Sequence, residues 1–411
     1  MSEDRELQQA AIIRFMCILT DPDPPINELV RFGIVYRLVE LISRYPDQKH
    51  GAIFVLVKMI QSSYYQVLLD CGVVPILVQL LKSDREEDRL LAVWALGNIA
   101  EKSPPSYDHV ISCGAMLPLL AQFDEPHSTP EMLLCASWTL RVLCSRYPPP
   151  PHELISPAIL ELERLLYSND SDVLLNASVT LACLSETNDD DIIEILIGLA
   201  VIPGMIQLLE HPLSVVQLQG LRTVYAIMMG ENDDYTQVVI DHKPLGGLMN
   251  FLTKTQRDNA KKAICRIVYK FTFWDESQLQ EVIESGIMQH VIPLLENSDE
   301  QIKRYAVWAI SNITEQRNHD DVNLLVAQGC IEALCDLLTS PKPYLVSAAL
   351  DALGDILIVG FTGAGQGYLY ITRIYDAGGF EPLVALQEHP NEDIRDKASD
   401  IIVDYSDYWD D

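Results

Sequence analysis

The chain has 411 residues and is strongly acidic, with 59 Asp and Glu residues against 29 Lys and Arg and a formal net charge of −30. Such a field repels nucleic acid and anionic membranes, so neither is expected as a partner, whereas cationic protein segments are attracted. The nine cysteines form no Cys-x-x-Cys pair and no His/Cys cluster with ligand spacing, which argues against a metal ion or another cofactor.

The N-terminal residues, Met1 to Glu6, are polar and acidic and do not resemble a signal or transit peptide. No later apolar stretch reaches the length of a membrane span without a charge or a proline. We therefore expect a soluble, intracellular protein.

A segment with a small residue, an apolar pair, often a proline, and a leucine doublet recurs along the chain, first as Gly33 to Ile42 and then as Gly72 to Leu81. Further copies begin at Gly114, Pro157, Ala200, Lys243, Gly286, Gly329 and Gly379. These starts lie 39, 42, 43, 43, 43, 43, 43 and 50 residues apart, and this regularity predicts a repeat protein. Some of the starts are degenerate in sequence and are placed by the period: Pro157, Ala200 and Lys243.

Within each period the apolar residues recur at helical spacing, and turn residues such as 169–172 separate the helices. A period of about 40–47 residues with two or three helices is typical of armadillo and HEAT arrays. The sequence predicts an all-α, armadillo-type, right-handed superhelical solenoid of nine to ten repeats with a concave groove. We expect one unit over residues 1–411, with repeats from about 7 to 405, a capping helix from Asp393 to Tyr405 and an acidic tail at 406–411.

Two stretches resemble the inner helices of the importin-α family, the adaptors that carry nuclear localisation signals. They are Leu90 to Ala100, with Trp94 and Asn98, and Tyr305 to Thr314, with Trp308 and Asn312. Further stretches are similar to the same family: Ala136 to Leu140, the proline run Pro148 to Pro151, and Gln328 to Leu338.

The resemblance implies a nuclear import adaptor that holds an extended protein segment in its groove. Trp and Asn four residues apart lie on one face of a helix. In the family the Asn amides bind the peptide main chain and the indoles take the stems of Lys or Arg. Carried over residue by residue, the peptide-binding positions are Trp94, Asn98, Trp138, Arg222, Trp308 and Asn312.

The chain departs from the family pattern, since two of seven Trp/Asn pairs are complete. The altered groove positions are Phe54, Lys58, Val142, Val179, Cys183, Ala226, Arg266 and Lys270. Losing five pairs removes on the order of 5 kcal/mol of binding free energy, and Lys102 stands where the family has an Asp. We therefore expect weak recognition of ordinary bipartite signals and a restricted or altered cargo specificity.

We call the row of Trp/Asn positions along the groove the ladder. Three ladder positions carry cations instead: Arg222, Arg266 and Lys270. One interpretation is that they select acidic or mixed partner segments or pair with acidic residues across the groove. The other interpretation is that these three residues form a solvent-exposed face without a binding role.

The family resemblance implies further partners and a location. No Lys/Arg cluster precedes the first repeat, so importin-β is not expected as a partner unless a basic segment lies upstream of residue 1. The C-terminal repeats are expected to contact a nuclear export receptor, and the protein to occupy cytoplasm and nucleus. A non-transport armadillo scaffold dedicated to one protein partner is the alternative. No matched nucleophile, base and orienting group appears, which argues against an enzyme.

The remaining features receive structural interpretations. The glycine-rich stretch 363–367 coincides with the stretched interval of 50 residues and predicts an inserted loop rather than a phosphate site. Acidic runs at 189–191, 231–234 and 320–321 are expected to complement helix N-termini. The C-terminal tail is expected to be frayed, with a short acidic docking motif as the alternative.

Overall fold

The computed structural model describes residues 5–19, 24–44, 49–60, 65–124, 128–274, 276–362 and 366–409. These residues form α-helices, short 3₁₀ turns and loops, and no strand. The chain forms two compact units, residues 1–204 and 205–411. The fold is an armadillo-repeat solenoid, as predicted.

The helices of the first unit are short, as a repeat array requires. In chain order, α1 to α13 span Arg5–Ile18, Ile26–Arg31, Ile34–Arg44, Lys49–Ile60, Tyr65–Asp70, Val73–Leu80, Glu86–Lys102, Pro104–Ser112, Met116–Leu120, Pro130–Cys144, His152–Leu165, Ser171–Ser185 and Asp190–Gly198. Helix α14, Val201–Gln207, includes the last residues of the first unit and the first residues of the second. A 3₁₀ turn follows α9 at Ala121–Phe123.

The second unit continues the same alternation. Helices α15 to α28 span Ser214–Met228, Asp233–Asp241, Leu245–Lys254, Asp258–Trp274, Glu276–Ser285, Met288–Val291, Glu300–Glu315, His319–Ala327, Cys330–Leu337, Pro343–Thr362, Gly367–Asp376, Phe380–Leu386, Glu392–Asp404 and Ser406–Trp409. Two 3₁₀ segments lie at Leu208–Glu210 and Ile292–Glu296.

The third helix of each repeat packs against the third helix of the next repeat. In the first unit the order is α4, α7, α10 and α12, and in the second it is α15, α18, α21, α24 and α27. Neighbours in each row are in contact. Residues at equivalent positions of these helices therefore share a face, which is the basis of the predicted ladder.

The repeat starts found in the sequence mark left-handed turns between short helices. Gly72 and Gly329 have φ values of 73° and 88°, which glycine adopts without strain. Two starts that the period alone located do the same with a side chain, since Ala200 has φ 55° and Lys243 has φ 51°. The period therefore located two positions at which the structure has a backbone conformation that residue type does not favour.

Two starts differ from this rule. Pro157 lies inside α11, which runs through the predicted repeat start, and Gly378 rather than Gly379 takes the last left-handed position. A proline has no N–H to give to the helix, so α11 continues with one backbone hydrogen bond fewer.

Acidic runs begin three helices of the array, as predicted. Asp189 accepts a hydrogen bond from the backbone N–H of Ile192 at the start of α13. Asn232 and Asn318 cap α16 and α22, and acidic side chains follow them in the first turns. The carboxylates lie where the positive end of the helix dipole stabilises them.

Arginines tie the ends of helices to later parts of the chain. Arg146 donates to the carbonyl of Ala100 at 2.9 Å, near the end of α7, and Arg373 donates to Val326 at 2.7 Å, near the end of α22. Terminal carbonyls have no partner within their own helix, so these contacts satisfy them and add a charge that the dipole favours.

Helix α24 is long and apolar enough to cross a membrane by length and composition. It packs between α21 and α27, and 61% of its most apolar window is buried inside the fold. Its hydrophobicity is explained by its place in the core of the second unit.

The described end of the chain is packed, which corrects the expectation of a frayed tail. The rings of Tyr405 and Tyr408 lie 4.8 and 4.7 Å from the ring of Phe361, and Trp409 lies 5.1 Å from Phe380. Burial of aromatic area offsets the entropy of ordering this segment. The predicted capping helix is α27. Of the predicted glycine-rich loop, positions 363–365 lie outside the described residues.

Candidate peptide-binding face

The first unit carries an apolar slot along α7, α10 and α12. It has a volume of about 560 Å³, and its lining consists of Leu90, Leu91, Trp94, Glu131, Leu134, Cys135, Trp138, Asp172, Leu175 and Asn176. We call this the tryptophan slot. Trp94 and Trp138 are half-buried, and the carboxylates Glu131 and Asp172 are exposed. The slot therefore combines indole and leucine walls with acidic groups open to solvent.

The position of Trp138 depends on a glycine in the neighbouring helix. A Cβ atom at Gly97 would lie 2.4 Å from Cζ3 of Trp138 and 2.7 Å from Oγ1 of Thr139. Gly97 itself is buried in α7. The absence of its side chain lets the indole lie against the backbone of α7, and this contact fixes one wall of the slot.

Two amide side chains, Asn176 in the slot and Asn98 one turn after Trp94, hold defined hydrogen bonds. Asn98 donates its amide N–H to the carbonyl of Trp94 at 2.8 Å, one turn back on the same helix. Asn176 donates to Oγ of Ser137 at 3.1 Å and accepts from Nε of Arg141 at 3.0 Å. These bonds orient both amides before any partner arrives.

The altered ladder positions of the first unit contribute other side chains. Lys58 is exposed on α4 with its ammonium 5.5 Å from the ring centre of Phe54. Val142, Val179 and Cys183 are half-buried and offer no amide to a peptide main chain.

Cys135 lies in the slot but is not poised for thiol chemistry. Burial raises the pKa of its thiol to about 12, with a smaller effect of Glu131. A thiol of that pKa stays protonated at neutral pH and acts as a small apolar wall.

In the second unit, the predicted clamp at Trp308 is covered by the protein's own side chains. The guanidinium of Arg304 lies 5.3 Å from the indole, and the ring of Tyr269 lies at the same distance from it. Asn312 donates its amide N–H to Oγ1 of Thr272 at 3.1 Å. A cationic side chain from a partner would have to compete with Arg304 for this indole.

Two other ladder positions of the second unit, Arg222 and Lys270, form hydrogen bonds within the fold. Arg222 donates to Oε1 of Gln219 at 2.7 Å, and Ala226 is half-buried. Lys270 donates to the carbonyl of Met228, at the end of α15. Burial lowers the pKa of this ammonium group, Asp233 raises it and Arg266 lowers it further.

Sequence reasoning missed the polar rim of the slot. Glu131 and Asp172 stand in the first turns of α10 and α12, where a helix-dipole explanation suffices for a carboxylate. Asn176 lies three residues before the fourth ladder position, one turn away on the same face. The one-turn spacing between Asn176 and the ladder position was the sequence signal that could have placed Asn176 on the same face.

One group in the described part of the chain has the geometry of a metal-binding cluster. It joins His152, Asp189 and Asp191, whose potential ligand atoms lie within 4.8 Å of one another. Both imidazole nitrogens already face carboxylates, at 3.1 and 3.3 Å, and Asp189 caps α13. Helix capping and pairing account for these residues, and we assign no metal to them.

The chain matches known proteins along nearly its whole length. The armadillo/beta-catenin-like repeat family matches residues 61–101, 275–315 and 318–358. Importin subunit alpha-1b of Oryza sativa subsp. japonica is 39% identical, over 98% of this chain and 77% of that protein. Importin subunit alpha-3 of Arabidopsis thaliana is 40% identical, again over 98% of this chain and 77% of that protein.

The chain belongs to the importin-α family. The fold has an independent match in the crystal structure of an engineered protein, with a TM-score of 0.69, 24% identity and coverage of 99% of this chain and 97% of that one. This importin-α homologue is a nuclear import adaptor that binds protein cargo, and the non-transport scaffold is not favoured. Importin-α and other armadillo-repeat proteins are adaptors rather than enzymes.

Proposed function

We propose that this importin-α homologue holds an extended cargo segment along α7, α10 and α12, with one long cargo side chain in the tryptophan slot. The observation that carries the proposal is the slot itself. Its walls are indoles and leucines, and its open carboxylates are Glu131 and Asp172. A lysine or arginine fits this combination, since its aliphatic stem packs on apolar surface while its charged head meets the acids.

The cargo main chain is the proposed partner of Asn98. Its amide N–H is given to Trp94, and its amide oxygen receives no hydrogen bond from the described residues. That oxygen can accept from an N–H of the cargo, and an extended cargo backbone leaves its N–H groups free for such a bond.

Cargo selection in this proposal differs from that of relatives with a complete ladder. Trp308 carries Arg304 on its ring, and Lys58 and Lys102 are exposed cations on the third helices. Both features disfavour a second cluster of basic residues on the same cargo. We propose a short basic segment as the preferred cargo signal, and shuttling of the protein between cytoplasm and nucleus. The export receptor at the C-terminal repeats remains a prediction.

The test compares two exposed leucines, one inside the slot and one outside it. Leu134 lines the slot and is 37% exposed, while Leu117 on α9 is 58% exposed. Replacing Leu134 with Ala should weaken binding of a labelled Lys/Arg-rich heptapeptide about 3- to 10-fold, and replacing Trp138 with Ala about 10- to 100-fold. Replacing Leu117 with Ala should leave the Kd unchanged.

The readout is fluorescence anisotropy at two salt concentrations, with far-UV circular dichroism melts to verify that each variant is folded. Glu131→Gln combined with Asp172→Asn should weaken binding mainly at low salt, because the acids act by charge. A heptapeptide that binds the folded Trp138→Ala variant with the wild-type Kd contradicts the proposal.

A further inference from the structure

The second unit carries a row of aromatic rings with two guanidinium groups against them. The guanidinium of Arg266, on α18, lies 5.7 Å from the ring centres of both Tyr225 and Tyr305. The guanidinium of Arg304, on α21, lies 4.6 Å from the ring centre of Tyr344 as well as near Trp308. We call Tyr225, Arg266, Tyr305, Arg304 and Tyr344 the arginine face. Each of these residues is half-buried.

Arg266 is held in place but not neutralised. It donates one hydrogen bond, to the hydroxyl of Tyr225 at 2.7 Å, out of the five N–H donors of a guanidinium. Among the residues that the structure describes, no carboxylate lies within 4.0 Å of it. In a chain with 59 acidic and 29 basic residues, an ordered arginine without a carboxylate partner is unexpected from composition.

Arg304 has a similar unsatisfied donor. Its Nε atom is buried and has no hydrogen-bond partner among the described residues. Glu300, one turn earlier on α21, interacts electrostatically with Arg304. The same carboxylate also pairs with Lys342 at 3.1 Å. The argument for binding therefore rests on Arg266, because the open donor of Arg304 is not accessible from outside.

A second cation near Arg266 adds to the positive charge of the arginine face. Lys270 lies one turn away on α18, and the two cations repel each other. Asp233 is the acidic group that interacts with Lys270. A guanidinium stacked between two rings is ordered before binding, so a carboxylate that pairs with it loses little conformational entropy from the protein side.

We infer that the arginine face binds an acidic, extended segment of a partner protein, with a carboxylate of that segment on Arg266. This site is separate from the tryptophan slot and has the opposite charge preference. The two proposals can therefore fail independently. Stacked arginine is suited to a carboxylate that it contacts through two N–H groups, and the tyrosine rings supply apolar surface for the flanking residues of the segment.

The probe is a labelled dodecapeptide with Glu or Asp at alternate positions, compared with a peptide in which Gln and Asn replace them. We expect measurable binding of the acidic peptide at low salt in spite of the net charge of −30, and at least about tenfold weaker binding of the amide peptide. Equal binding of the two peptides, or no binding of the acidic one, overturns the inference.

Three substitutions locate the binding. Arg266→Gln should weaken the acidic peptide at least about tenfold, and Arg266→Lys should give an intermediate Kd because charge is kept while the two-pronged contact is lost. Lys254→Gln removes one exposed cation from α17 and should leave the Kd within about twofold. A loss as large for Lys254→Gln as for Arg266→Gln would mean general attraction and overturn the site.

Circular dichroism melts verify folding, and Trp138→Ala provides the cross-check between the two proposals. Acidic-peptide binding should survive Trp138→Ala, because that residue belongs to the other unit. Sedimentation of the free protein tests whether an acidic segment of a second copy occupies the face. Concentration-dependent dimers abolished by Arg266→Gln would overturn the assignment to a separate partner.

Discussion

Replacing Gly97 with Ala tests the link between helix packing and the tryptophan slot. The added Cβ would lie 2.4 Å from Cζ3 of Trp138, 3.0 Å from its Cη2 and 2.7 Å from Oγ1 of Thr139. Ordinary contact between carbon atoms is about 3.5–4.0 Å, so the indole has to move by about 1 Å or more. Thr139 has little freedom to yield, since its hydroxyl is buried and donates to the carbonyl of Val93.

Two opposing free energies set the expected magnitude. Alanine is favoured over glycine inside a helix by about 1 kcal/mol, and overpacking a buried site costs about 1–3 kcal/mol. The free energy of unfolding should therefore fall by about 1 kcal/mol. Displacing Trp138 from the slot wall should in addition weaken binding of the basic heptapeptide about tenfold.

Gly198 is the matched control, since it is helical, exposed and has no atom within 4 Å of the position of a Cβ. Gly198→Ala should be neutral or stabilise the protein by up to about 1 kcal/mol and leave peptide binding unchanged. Urea titrations followed by circular dichroism measure stability, and anisotropy measures binding. If Gly97→Ala matched Gly198→Ala in both, the proposed close contact with Trp138 would be refuted.

Three further substitutions test other parts of the description. Ala200→Gly should raise the unfolding free energy by about 0.5–1 kcal/mol, because glycine relieves a left-handed backbone that alanine adopts at φ 55°; a urea midpoint that falls would contradict this. Trp409→Ala should cost about 0.5–1.5 kcal/mol locally through loss of its ring contact with Phe380, seen as faster amide exchange in α26. Asn98→Ala should weaken cargo binding about 3- to 10-fold through one lost hydrogen bond, with an unchanged melt, since the bond to Trp94 lies within its own helix.

The sequence predicted the repeat architecture because its signals are local and periodic. The 43-residue period placed repeat starts at Ala200 and Lys243, where residue type gave no help, and the structure shows left-handed φ values at both. At Pro157 the period also placed a repeat start, but α11 continues through that residue. A period marks where a repeat begins, whereas the neighbouring residues decide whether the helix is interrupted there. Helical spacing likewise predicted which residues share the face of the third helices.

The family was also evident from the sequence, because the motifs around Trp94 and Trp308 are longer than an armadillo period requires. The same motifs do not reveal the state of each ring. Trp94 belongs to an open slot, whereas Trp308 lies under Arg304. That difference depends on a residue one turn away, which a comparison of aligned Trp/Asn pairs does not examine.

What the sequence determined by itself is the order of the helices and the face on which each residue lies, since both follow from a periodic backbone. Tertiary structure alone decided which side chains meet across neighbouring helices. Glu131 and Asp172 join Trp94 in one slot, and Arg266 lies between tyrosines of α15 and α21. The physical reason is that repeat spacing sets positions to within a helical turn, whereas hydrogen bonds and ring contacts depend on rotamers and interhelical distances of a few ångströms.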